Sequence, residues 1–135
     1  MIHTPSSTAR VRVGEVVAFS GSATDAEDGT LLPSQLHWSV AVRHCPGGVC
    51  HTHPLTTASG AGGTVTTPDH GADSYLRVTL TAVDSGGRDA TTFVDVLPRL
   101  VGVTLRSEPP GMQVIFGESR ALAPATFEAV AGGAV

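Results

Sequence analysis

Apolar side chains recur at every second position through the middle of this chain, and they do not settle into a helical period. Leu36, Trp38, Val40 and Val42 alternate with His37, Ser39, Ala41 and Arg43. Leu76, Val78, Leu80 and Ala82 alternate in the same way with Tyr75, Arg77, Thr79 and Thr81. A period of two with one apolar face marks a half-buried strand. No segment combines a sustained 3.6-residue period with caps at both ends. Such a chain must lay strands against strands, and Trp38, its single tryptophan, is the candidate centre of the core.

The other runs follow the same grammar. Ala9 to Val13, Val16 to Ser20, the return through His51, His53 and Leu55, Thr64 to Thr67, and Ala90 to Leu97 bring residues 9–97 to about seven short strands separated by turn signals. Residues 1–8 read as a polar linker that lays down a first edge, and residues 56–63 as a loop or weak edge. The expectation is an all-β fold, an antiparallel β-sandwich over residues 9–97. Pro98-Arg99 breaks the pattern. Residues 98–135 form a short second β unit, with alternation at Val101, Val103 and Leu105, then at Met112, Val114 and Phe116, and a third strand over Thr126 to Val130. Roughly 36 residues are too few for an independent core, so this unit is either cut short or packed on the sandwich.

Charge narrows the function. The net charge is −4, all eight basic residues are arginine, and they form no stripe. A nucleic-acid backbone demands clustered cations, so nucleic acid is excluded as a partner. No apolar run approaches the ~20 residues that span a bilayer, and Met1-Ile2-His3-Thr4-Pro5 lacks the charged and apolar regions of a signal peptide. Cys45 and Cys50 flank Pro46-Gly47-Gly48-Val49 at a hairpin tip. Free or metal-bound thiols are one reading of this pair. The other, a disulfide, persists mainly outside the reducing cytosol. With the bridge as the expectation, the chain reads as a piece of a secreted protein whose leader lies elsewhere.

Two clusters carry metal-ligand chemistry. His44, His51 and His53 fall within ten residues of both cysteines. In a strand, His51 and His53 project from one face about 7 Å apart at the backbone, within reach of one ion. A three-histidine site suits zinc or copper, with His70, beside Asp69, as a distant fourth ligand. The alternative is a polar hairpin whose histidines face solvent. Asp25, Glu27 and Asp28, with Asp84 from another turn, form an oxygen-rich loop of the kind that holds calcium, although Asp-Gly is equally an ordinary turn signal. The serines lie in turns without a nucleophile elbow, and no catalytic constellation emerges. The chain reads as no enzyme.

Phe19-Ser20-Gly21-Ser22-Ala23-Thr24-Asp25, the Asp28-Gly29 turn, the Trp38 strand and Leu80-Thr81-Ala82-Val83-Asp84-Ser85-Gly86-Gly87 together resemble a PKD-like domain, an immunoglobulin-like sandwich of secreted and surface bacterial proteins. The Trp-x-Phe-Gly-Asp-Gly segment common in that family is absent. With histidines following the tryptophan strand, the chain resembles the module appended to secreted bacterial sugar dehydrogenases of the glucose/sorbosone type, where a separate propeller carries catalysis. Ser107-Glu108-Pro109-Pro110-Gly111-Met112-Gln113-Val114 is similar to a PEGA-type β motif. The resemblance implies a non-catalytic accessory module, a spacer or a surface for neighbouring domains or extracellular carbohydrate. It also implies calcium near the acidic loop. Tyr75 is the one aromatic platform expected to be exposed, so spacer outranks lectin.

Overall fold

Backbone pairing among residues 1–134, which the computed structural model describes, gives two facing sheets and a smaller appended unit. The strands of the sandwich are β1 (Ile2–Thr4), β2 (Arg10–Val11), β3 (Val16–Gly21), β4 (Thr24–Asp25), β5 (Gly29–Thr30), β6 (Leu36–His44), β7 (His51–Ser59), β8 (Gly62–Thr66), β9 (Ser74–Val83) and β10 (Asp89–Pro98). One sheet has the order β1-β3-β8 and the other β2-β10-β9-β6-β7, with β4 and β5 forming a two-rung ladder in the acidic loop. The long strands pair antiparallel, whereas the short β2 runs parallel to β10.

The alternation seen in the sequence is the alternation of burial. On β6 the buried positions are Leu36, Trp38, Val40 and Val42; on β9 they are Ser74, Leu76, Val78, Leu80 and Ala82. Register aligns the two rows, with Trp38 opposite Leu80 and Val40 opposite Val78. Phe19 packs across from the other sheet, its ring centroid 5.0 Å from that of Trp38. The indole nitrogen donates to the Gly60 carbonyl at 2.8 Å, so the largest core side chain leaves no unpaired donor behind. Each fully buried aliphatic side chain here, such as Val78 or Val96, contributes roughly 1.5–3 kcal/mol. A second cluster, Val11, Val17, Val42, Leu76 and Val96, continues the core toward the end where β6 finishes.

Of the two readings of residues 56–63, loop or weak edge, the structure has the edge over Thr56 to Ser59. Strand β7 persists to Ser59, paired with β6 along its whole length, and β8 begins at Gly62. The glycines are required by packing rather than by flexibility. A Cβ on Gly63 would stand 2.7 Å from the Phe19 ring, and one on Gly62 would collide with the Phe19 carbonyl oxygen. Small residues let the Phe19 ring lie against its cross-strand partner Gly63 where β8 pairs with β3.

The appended unit comprises β11 (Leu100–Leu105), β12 (Gln113–Phe116), β13 (Ser119–Leu122) and β14 (Ala125–Val130), paired as β11-β14 and β12-β13. Strand β13, which carries little apolar pattern, is additional to the three expected. Backbone hydrogen bonds tie this unit to the sandwich. Arg99 N donates to Val11 O, Ala131 N to Arg99 O, and Val13 N to Ala131 O at 2.7–2.9 Å. Among the described residues, no helix is long and apolar enough to cross a membrane.

Candidate metal centre

The inward row of β6 does not stay apolar. Trp38, Val40 and Val42 are followed, on the same face, by His44. Register sets His51 opposite His44 and His53 opposite Val42 on β7, so all three imidazoles lie on the inner face at the open end of the sandwich. The tip between them is closed by a disulfide between Cys45 and Cys50, and Cys45 N donates to Asp73 O at 2.9 Å. The bridge expected from the spacing is present.

The fourth imidazole arrives from outside the hairpin. His70 lies on the connection between β8 and β9, held by the Ser74 hydroxyl, which bonds the carbonyls of His70 and Gly71 at 3.0 and 2.7 Å. Ring nitrogens of His44, His53 and His70 all fall within 4.8 Å of one another. His51 adjoins this set, its Nε2 3.3 Å from His44 Nδ1. Expected as a remote ligand, His70 thus belongs to the tightest triad. Its Nδ1 is buried and has no hydrogen-bond partner, a costly state that a ligand to that nitrogen would relieve.

Electrostatics favour lone pairs turned inward. His44 Nε2 lies 3.0 Å from Asp73 Oδ1. With its proton on Nε2 and donated to that carboxylate, His44 presents the Nδ1 lone pair to the cluster, the arrangement by which outer carboxylates orient metal-bound histidines. Sequence reasoning set no role for Asp73; its signal is only the three-residue spacing from His70. The His53 imidazole is held below its ordinary 6.5, first by lost hydration and then by the charges of His70, His51 and His44. The shift favours the neutral form that a ligand must have. Neutral imidazoles suit zinc, copper or nickel rather than the hard cations.

A cleft of about 750 Å³ reaches the cluster from the side of the appended unit, lined by His44, His70, Asp69, Asp73, Glu118 and the Phe116–Phe127 pair among others. Those two rings stack 5.5 Å apart. Asp69 also accepts a bond from Ala134 N at 2.9 Å, tying the His70 loop to the end of the appended unit.

The acidic loop lies at the other pole. The structure does gather Asp25, Glu27, Asp28 and Asp84 around one depression, together with Arg88. Their oxygens already serve the backbone. Asp25 accepts from Asp28 N and Glu27 N, which lowers its pKa from 3.8; Asp28 accepts from Ser85 N and Ser85 Oγ, and Asp84 from Arg88 N. These bonds account for the loop's shape without an ion. On the outer face of the five-stranded sheet, Tyr75 is half-buried and Phe93 is 54% exposed. Arg77 lies between them, 4.0 Å over the Phe93 ring and bonded to Asp95 by both carboxylate oxygens. Phe93 escaped the sequence reading because it sits in a strand whose partner face was unknown.

Comparison of the chain with family models, with curated proteins and with solved structures found no match.

Proposed function

We propose that this chain is a non-catalytic accessory module of an exported bacterial protein whose working feature is a transition-metal site at the end of its sandwich. One observation carries the reading. Three imidazoles from three separate strands or connections bring ring nitrogens within 4.8 Å of one another, and one nitrogen of the His70 ring is buried with no hydrogen-bond partner. The immunoglobulin-like, PKD-like assignment is supported by the two-sheet order with β2 parallel to β10. Export is supported by the Cys45–Cys50 bridge.

The ion is zinc or copper, held by His44, His53 and His70 with His51 alongside, and its role is to stiffen the junction with a neighbouring unit rather than to turn over substrate. The test is elemental analysis of protein purified without a histidine tag, followed by titration with zinc and copper. One equivalent per chain is expected, lost in His53→Ala and His70→Ala. Absence of bound metal and of affinity for either ion would refute the proposal.

Contact with carbohydrate is a second reading, favoured by the exposed Phe93 ring beside Tyr75 and the Arg77–Asp95 pair. Aromatic faces next to planar polar groups are the usual means of holding a sugar ring. A pull-down on insoluble polysaccharides with wild type and Phe93→Ala separates it from the metal reading, because the two surfaces lie on opposite faces of one sheet.

A further inference from the structure

Taken in the order His44, His51, His53, His70, the four rings close a circuit. Successive ring centroids are 4.9, 4.7, 4.7 and 4.7 Å apart, and His44 and His53, at opposite corners, are 6.3 Å apart. That pattern distinguishes coordination geometries. With metal–nitrogen bonds of about 2.0–2.1 Å, a bound imidazole has its centroid about 3.2 Å from the ion. Four rings at the corners of a tetrahedron then stand about 5.2 Å apart in every pairing. Four rings in a plane stand about 4.5 Å apart as neighbours and about 6.4 Å apart across the ion. The circuit in this protein has four near-equal short sides and a long diagonal, close to the planar case.

From this we infer that the site, if the metal-binding reading above holds, is a four-imidazole tetragonal centre for copper(II), with His44 opposite His53 and His51 opposite His70. His51 is then a ligand rather than a neighbour of the triad. Its Nε2 stands 3.3 Å from His44 Nδ1. That is slightly more than the separation of about 2.9 Å for adjacent nitrogens in a plane, but His51 lies outside the set whose ring nitrogens all fall within 4.8 Å, so its exposed ring must swing toward His70 to close the square. Zinc has no preference for a planar field, whereas copper(II) does, and it also heads the affinity order for nitrogen sites. The strand register explains why a β hairpin yields this shape. His44 and His51 are directly paired and His53 lies two residues on, which spaces three rings along one face. His70 enters from the adjoining connection to fill the last corner.

Because copper(II) outcompetes zinc at most nitrogen sites, affinity alone does not test the geometry. Electron paramagnetic resonance of the copper-loaded protein and visible absorption of the cobalt-loaded protein do. An axial copper spectrum with hyperfine splitting from four nitrogens is expected, reduced to three in His51→Ala, with copper affinity falling at least tenfold. His51 is exposed, and an unchanged melting temperature of the metal-free variant confirms that the fold is intact. Cobalt should show only weak visible bands. Intense cobalt bands of the tetrahedral type, or a copper spectrum indifferent to His51→Ala, would overturn this inference while leaving the metal site in place. Failure of both ions to bind would remove the site itself.

Discussion

Asp73 Oδ1 stands 3.0 Å from Nε2 of His44, so a carboxylate on the connection before β9 decides which imidazole nitrogen of β6 faces the other histidines. Removing that acceptor should free the ring without emptying the cluster. Asp73→Asn is expected to weaken metal binding by about 10–100-fold, the usual range for an outer partner of a ligating histidine. Its side chain is about half exposed, so the melting temperature of the metal-free protein should hardly move. Calorimetric titration alongside a thermal scan makes the comparison.

His70 is the residue with an unmet need. Its Nδ1 is buried and unpaired, and such a group costs about 1–3 kcal/mol when nothing satisfies it. His70→Ala should therefore abolish the metal-induced rise in melting temperature while leaving the metal-free protein as stable as wild type or slightly more so. Differential scanning fluorimetry with and without metal reads both.

Acid should loosen the cluster. His53 is held below its ordinary 6.5 by lost hydration and by its three imidazole neighbours. Between that lowered value and 6.5 the unfolded chain binds more protons than the folded one, so stability falls as pH drops through this window and does not change above it. Melting temperatures of the metal-free protein should be level above about pH 7 and decline on acidification. In His53→Gln the decline should be shallower.

The disulfide closes a short loop, for which the chain-entropy model gives a stabilisation of about 2 kcal/mol. Its second effect is to hold His44 and His51 in register on either side of the tip. Replacing Cys45 and Cys50 together by serine should lower metal affinity by a larger factor than this loss of stability alone produces. Mass spectrometry of the unreduced protein checks that the wild-type bond has formed.

Gly62→Ala tests the close approach of β8 to its partner β3. The added Cβ would meet the Phe19 carbonyl oxygen, a backbone atom that cannot step aside as a side chain can. A loss on the order of 1–3 kcal/mol is expected, read by chemical denaturation.

What could be read from the chain alone follows from what carries period. Strands β6 and β9 were legible because each sets a run of four apolar residues against a largely polar face, and the pairing of His44 with His51 follows from a tight tip between them. Thr56 to Ser59 carries no such contrast, since an edge strand paired by its backbone needs little apolar surface. Gly62 and Gly63 resembled a flexible linker because the Phe19 carbonyl and ring that they clear lie more than forty residues away in the chain. His70 stood apart for the same reason. Seventeen residues separate it from His53, and only the return of β8 and β9 across the sandwich brings the two rings to a centroid distance of 4.7 Å. Asp73 could be valued only once His44 was seen beside it.

The two ends of the sandwich also set what such a fold would do within a longer chain, under the module reading proposed above. Met1 is bonded to Ser22 near the Gly21 end of β3, beside Trp38, whereas Arg99 leaves beside Val11, near the histidines. The path enters at one pole and exits at the other, across strands whose ten residues span roughly 33 Å. A string of such modules would gain reach with every copy instead of doubling back. An ion bound at the exit pole would sit where one link bends against the next, so occupancy would govern the angle of the tether rather than its length.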